Sequence, residues 1–313
     1  MNTFNKIAIG VLSTFAASSV IAAPAPKDVL DLSCWKVTLP VSLTGGDKPT
    51  EFEEKEIAGG AQHPEYFYVN EAGDGVVFRS PVSGVKTSEN TKYIRTELRQ
   101  MMRCGDTSVK TRGTNQNNWV FGSAPEEDQK KVGGVNGRLE VTMSVDEVTT
   151  TGVDWQQGRV IIGQIHAPKD EPIKVYYRKL PHHETGSIWF NIEPDRRSGL
   201  KDGDITFPVL GSTKPNYWRN GEKNTPKSFD DGIALGEKFS YAIDVQDSIL
   251  TFELYQEGQD ARKVSVDLDI YGVSLKDSWN YFKAGVYVQN RTGEADDYTA
   301  ATIYDLKVTH DKK

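Results

Sequence analysis

Residues 281–290 read YFKAGVYVQN. A pleated strand alternates its side chains, which sends Phe282, Ala284, Val286 and Val288 to one side and Tyr281, Lys283, Gly285, Tyr287 and Gln289 to the other. The first face suits a hydrophobic core. The second is polar and aromatic along its whole length, so the segment predicts an antiparallel sheet with one packed face and one open face.

The same period recurs along the chain. CWKVTLPV, YFYVN, GVVFRSPV, GRLEVTMSVDEV, RVIIGQIH, IKVYYRKL, GSIWFNIEP, FSYAIDVQDSILTFELY, KVSVDLDI and ATIYDLKVTH are rich in Val, Ile, Tyr, Phe and Thr, and Gly, Asn, Asp and Pro separate them. At least ten strands with little helical periodicity predict an all-β, jelly-roll sandwich of two curved antiparallel sheets. Short helices are expected near Asp28–Leu32, Pro125–Lys131 and Tyr271–Ser278. No internal repeat or linker stands out, so residues 24–313 are expected to form one domain. Glu193–Asp231 is the most loop-like stretch, and with Tyr217 and Trp218 it is expected to fold over a cleft.

The N-terminus has Lys6, an apolar run from Ile7 to Ala17 and small residues ending in VIAAPAP. This is the pattern of a secretory signal peptide over residues 1–23, cleaved near Ala22 or Ala23. No stretch reaches the roughly 20 apolar residues of a membrane span, so an exported protein without a membrane anchor is expected, extracellular or periplasmic. DLSC at Asp31–Cys34 has the form of a lipoprotein cleavage end, but it lies well beyond the apolar run. In an exported chain the only two cysteines, Cys34 and Cys104, read as one disulfide, with two separately buried thiols as the alternative. A net charge of −7 argues against nucleic-acid binding through a broad basic surface, while leaving room for an anionic substrate in a local basic cleft. A monomer is the default expectation.

Two further strands share the odd face of the first. In YIRTELRQ, alternation groups Tyr93, Arg95, Glu97 and Arg99 against Ile94, Thr96 and Leu98; in IIGQIH it groups Ile162, Gln164 and His166 against Ile161, Gly163 and Ile165. A solvated outer face ordinarily mixes Thr, Ser, Lys and Glu. These faces carry Arg, Tyr, Gln and His, residues that grip carboxylates, stack on sugars and move protons. They predict a groove on one concave sheet, with Gly285 as a notch for close approach of a ligand.

YIRTELRQ, GQIHA and YFKAGVYVQ resemble the three signature strands of polysaccharide lyase family 7, the alginate lyases with a β-jelly-roll fold. They occur in the family's order, and LDLSCWKVTLPV resembles the family's opening strand, so the likeness spans nearly all of the chain after the signal peptide. The resemblance implies cleavage of alginate by β-elimination with no metal or organic cofactor. By position it implies that Arg95 and Gln164 neutralise the substrate carboxylate and that His166 and Tyr287 act as catalytic base and acid. It places Glu97, Arg99, Tyr281, Lys283 and Gln289 at supporting or sugar-binding positions, although a plain surface lysine also fits Lys283. One departure is Val288, where many members have Asn; it points to the opposite face, so its effect is expected on packing. Members with Ile inside Gln-x-His tend toward guluronate blocks, and Ile165 leans that way.

The chemistry asks for these residue types. Removing the proton at C5, beside a carboxylate, builds negative charge that Arg95 and Gln164 can offset. A tyrosine acting as base needs a lowered pKa, and Arg95 and Lys283 are expected to lower that of Tyr287. Glu97, between two arginines, is expected to orient Arg95 or Arg99. Lys174, Tyr176 and Arg178 share a face in KVYYRK that would extend the groove, whereas His182 and His183 sit by Pro181 and Gly186 in a stretch expected to be a loop without a metal pattern. A glycoside hydrolase would need a second carboxylate on these faces, and a carbohydrate-binding module would leave His166, Tyr287 and Arg95 together unexplained.

Overall fold

In a computed structural model of the chain, residues 23–168, 170–194, 203–211, 231–271 and 278–311 are described. Residues 1–22 of the expected signal peptide, most of the loop expected over Glu193–Asp231 with Tyr217 and Trp218, and the interior of the helix expected at Tyr271–Ser278 lie outside them.

Among the described residues are three short helices, α1 (Pro26–Val29), α2 (Glu54–Ala58) and α3 (Glu126–Gln129). The strands are β1 (Trp35–Thr38), β2 (Glu51–Phe52), β3 (Phe67–Val69), β4 (Val76–Pro81), β5 (Arg95–Gln100), β6 (Trp119–Val120), β7 (Gly134–Glu147), β8 (Arg159–His166) and β9 (Ile173–Arg178). They continue with β10 (Thr185–Ile192), β11 (Ile205–Leu210), β12 (Ile233–Ala234), β13 (Phe239–Gln246), β14 (Ile249–Gln256), β15 (Arg262–Asp267), β16 (Tyr281–Val288) and β17 (Tyr298–Asp311). α3 falls within the helix expected at Pro125–Lys131, whereas α1 shares only Asp28 and Val29 with the one expected at Asp28–Leu32, because Pro26 opens it at N1 and Leu30 is extended. α2 was not foreseen, because its five residues are too few to show a helical period; it is started by the Glu56 carboxylate accepting the Glu53 backbone N–H at 2.9 Å. β11 lies inside the stretch expected to be a loop.

One sheet runs β11-β10-β9-β8-β16-β5-β1-β2 with β12 on β10, and the other runs β15-β14-β13-β7-β17-β4-β3 with β6 on β7. The long-range, largely antiparallel order is that of a β-jelly roll. Between the sheets, Val37, Leu98, Ile165, Phe282, Ala284 and Val286 of the first join Phe78, Leu139, Val141, Met143, Ile243 and Phe252 of the second in one buried cluster. Alternation in β16 therefore does what its sequence predicts: every second side chain enters the core, and the polar set is left on the outer face of the first sheet.

Two bulges shift the pairing of β8 with its neighbours and reverse the alternation of β8 itself. The pairing of β8 with β9 shifts between Ile161 and Gly163, and the pairing of β16 with β8 shifts between Ala284 and Tyr287. An extra residue flips the phase of whatever precedes it. Ile162, expected beside Gln164 and His166, is in the inter-sheet core, and Ile161, expected opposite them, packs with Tyr176, Trp189 and Tyr287 on the groove side. Gly285 belongs to this irregularity. Its φ is +132°, and a Cβ there would stand 2.8 Å from the Thr96 carbonyl oxygen and 3.1 Å from Glu97 Cα, so only glycine fits.

Cys34 and Cys104 are joined in a disulfide across 70 residues of chain. The same region carries a second clasp: Arg103 Nε donates to Glu54 Oε1 at 2.8 Å, tying the end of β5 to α2. Replacing both cysteines by serine is expected to lower stability by up to about 4 kcal/mol, the loop-closure entropy returned to the unfolded chain. The check is the urea midpoint of the double variant against the parent; an unchanged midpoint would show that the Glu54–Arg103 clasp and the core suffice. No described helix is long and apolar enough to cross a membrane.

Candidate active site

The register of four strands builds the site. β16 lies between β5 and β8, and β9 lies beyond β8, so side chains on the outer face line up in rows across the strands. One row contains Lys174, Gln164, Lys283 and Arg99, through the pairs Gln164 with Lys174, Lys283 with Gln164 and Lys283 with Arg99. A second contains Trp189, Tyr176, Ile161, Tyr287 and Arg95. His166 and Tyr281 pair at the far end, with rings stacked 5.0 Å apart. A cationic row thus separates an imidazole from the phenol of Tyr287, on a chain whose net charge is −7.

Glu97 is the hub between the rows. Its carboxylate takes Arg95 Nη1 at 3.0 Å, the Lys283 ammonium, and the amide nitrogen of Gln164, which reaches over β16 where Gly285 carries no side chain. Glu97 is 1% exposed, so the place expected to be a notch at Gly285 is filled by this cluster. Against the cost of burial, Lys283 and Arg95 hold the Glu97 carboxyl below its ordinary range. Burial and the Arg95 charge push Lys283 down to about 8. Glu97 orients Arg95, as expected, but not Arg99; that guanidinium donates to the Thr111 carbonyl at 2.6 Å and covers the Tyr281 ring at 4.0 Å. Gln164 keeps a second amide N–H, and Arg95 Nε makes no hydrogen bond.

His166 is held in one tautomer. Its Nδ1 donates to the Ala167 carbonyl at 2.6 Å, which leaves the Nε2 lone pair free to accept. Burial, Lys283 and Arg95 push its pKa down to about 3, so the ring is neutral. Nε2 faces Glu171 Oε1 at 3.3 Å. Glu171 stands in the turn between β8 and β9, and burial together with a hydrogen bond to Glu193 pushes it up to about 8.

Tyr287 is clamped by the Arg95 guanidinium 3.6 Å over its ring, by the edge of Tyr93, and by the apolar group of Ile161, Tyr176, Leu180 and Trp189. Its pKa is raised, contrary to expectation. Burial of the phenol outweighs Arg95, while Glu97 and Glu171 oppose ionisation, and Lys283 is spent on Glu97. The group is therefore held as an un-ionised phenol.

Gln289 is buried just beyond β16, where its backbone N–H donates to the Arg159 carbonyl at 2.9 Å. Tyr176 and Arg178, expected to extend the groove, are on the predicted face but do not line it. Tyr176 stacks on Trp189 at 5.1 Å, and the Arg178 guanidinium, fully buried, donates to the carbonyls of Gln157 and Asp154. The segment before β8 covers this end of β9, which turns both residues into supports. His182 and His183 lie between β9 and β10, as expected of a loop. Sequence reading missed Glu171, Glu193 and Asp204, which surround Lys174 at 3.8, 3.4 and 3.2 Å. A carboxylate five positions after His166 across a Pro-containing turn was the available signal.

The family model described as "Alginate lyase" matches residues 30–310. An alginate lyase of Klebsiella pneumoniae is 48% identical over 304 residues, 97% of each chain. The crystal structure of the alginate lyase from Klebsiella pneumoniae superposes with a TM-score of 0.86 at 50% identity, covering 92% of this chain and 99% of that one. An exolytic family 7 alginate lyase of Zobellia galactanivorans shares the fold at 22% identity, with a TM-score of 0.68 over 92% of this chain and 99% of its own.

Proposed function

The chain belongs to the polysaccharide lyase family 7 alginate lyases, and from that premise we propose that it cleaves 4-O-linked uronate polymer by β-elimination, with a lean toward guluronate blocks. The observation that carries the mechanism is the cationic row held between a neutral imidazole and an un-ionised phenol. The substrate carboxylate sits against Arg95 and the spare amide N–H of Gln164. There its charge is offset as the C5 proton leaves. His166 Nε2 takes that proton, and Tyr287, which holds its own, protonates the departing O4. The electron pair of the C5–H bond becomes the C4=C5 double bond. Lys283 and Glu97 act through Arg95, while Arg99 and Tyr281 shape the His166 end.

A glycoside hydrolase needs a pair of reachable carboxyl groups, and Glu97 is sealed among three donors. The signal-like N-terminus and the disulfide support export, extracellular or periplasmic. Ile165 is in the core, so its lean toward guluronate acts through the backbone of β8 and not by contact.

The test is ultraviolet absorbance during incubation with alginate, polyguluronate and polymannuronate. Elimination creates a conjugated unsaturated uronate, so absorbance is expected to rise on alginate and to rise faster on polyguluronate than on polymannuronate. Chain shortening without absorbance would sink the eliminative mechanism, and a faster rise on polymannuronate would sink the guluronate lean.

A further inference from the structure

Glu171 is unused in the mechanism above, yet it is the nearest acidic group to the reacting nitrogen of His166. The Nδ1–H bond to Ala167 and the stacked Tyr281 ring leave the imidazole one direction in which Nε2 can point, and Glu171 Oε1 stands there at 3.3 Å. Behind it, the Glu171 backbone N–H donates to Glu193 Oε2 at 3.3 Å, and Lys174 lies 3.8 Å from Glu171 Oε2. The carboxyl group is therefore placed from two sides.

We propose that Glu171 is a positioning residue that gates His166: its protonated carboxyl donates to the single in-plane lone pair of Nε2 and occupies it, and loss of that proton releases the lone pair to take the C5 proton, which the imidazolium then gives to water. This rests on the reading of His166 as base. The step balances: C5–H breaks, its pair forms C4=C5, the C4–O4 pair leaves with O4, and O4 takes the Tyr287 proton. Tyr287 then regains a proton from water, so no net proton is consumed.

The surroundings keep the shared proton on Glu171. The His166–Glu171 pair is faced by Tyr281 and Lys283 from β16 and by Arg95 and Glu97 from β5 on the imidazole side, and by Lys174 from β9 and Glu193 on the carboxyl side, with Asp204 beside Lys174. Burial and the cations lower His166 to about 3, whereas burial and Glu193 raise Glu171 to about 8, so the proton between Nε2 and Oε1 rests on Oε1. A group raised to about 8 is protonated below that pH and then occupies the Nε2 lone pair as a donor. His166-dependent turnover is thus expected to rise as pH increases through about 8.

The experiment measures kcat against pH on polyguluronate and on polymannuronate for the parent, His166→Asn, Glu171→Gln and Glu193→Gln. Glu171→Gln is expected to lose on the order of 10- to 100-fold, less than a removed acid or base, on the polymer that His166→Asn affects more, and to lose the alkaline rise. Glu193→Gln is expected to move that rise to lower pH. Equal losses on both polymers with the rise intact would mark Glu171 as merely structural and overturn the proposal. So would a parent without the rise. If Glu171→Gln does not fold, Glu193→Gln decides, and an unmoved rise overturns the proposal. Full activity of His166→Asn on both polymers would instead sink the reading of His166 as base.

Discussion

Tyr287→Phe is expected to lower kcat on alginate by on the order of 10²–10⁴-fold, the range for loss of a positioned general acid, while leaving fold and polymer affinity nearly unchanged. The ring is held by its faces and edges: Arg95 lies 3.6 Å over it, Tyr93 meets it edge-on, and Ile161, Tyr176 and Trp189 pack beside it. All of those contacts survive in phenylalanine. What disappears is the hydroxyl whose proton the proposed mechanism gives to the leaving oxygen, on a phenol whose burial keeps it un-ionised. Initial rates from ultraviolet absorbance, with calorimetric binding of a uronate oligomer in parallel, separate the two quantities. A variant that turns over within a few-fold of the parent would remove Tyr287 from the chemistry, and one that fails to bind would make it a sugar contact.

Glu97→Ala is expected to cost about 3–5 kcal/mol of stability and most of the activity, because it strips the counter-charge from Lys283 and Arg95. Glu97 is nearly sealed from water, and its three partners come from three different strands. Removing it leaves two buried cations unpaired. Its effect on pH dependence has a definite sign. The carboxyl is held below its ordinary pKa in the folded protein, so it contributes stability above the unfolded value of about 4.3 and loses that contribution as pH falls through the folded value. The variant is expected to show a shallower acid limb of stability. Urea midpoints between pH 3 and 7 test this, since midpoints equal to the parent's at neutral pH would show that the cluster stores no net stability. Replacing Glu97 by Gln, which retains an oxygen for Lys283 and Arg95, is expected to fall between the two.

Much of this site was legible in strands of alternating sequence. Arg95, Gln164, His166 and Tyr287 are grouped by a period of two, and the sandwich delivers them to one face because the opposite residues, Leu98, Ile165, Phe282 and Val286, have to be buried. The polar rows follow from burying the apolar ones. The bulges at Ile162 and Gly285 were not legible, since an inserted residue is defined by its partner strand and leaves no mark on local periodicity.

Arg178 shows the same limit in another form. Alternation put it on the groove face, and a segment before β8 then covered it. Glu171 shows the converse, an acidic residue in a turn that only the pairing of β8 with β9 brings back to His166.

Strand pattern, all-β class and the residue types facing the groove were readable from residue order, because they depend on side-chain chemistry and a short repeat, whereas the bond between Cys34 and Cys104 needed the fold to bring them together. The tertiary structure alone decided which of those residues can reach a substrate and where the protons reside. Proton occupancy depends on burial and on charges from other strands: Tyr287 stays a phenol beside an arginine, His166 stays neutral, and Glu171 holds its proton to about pH 8 for reasons that lie far away along the chain.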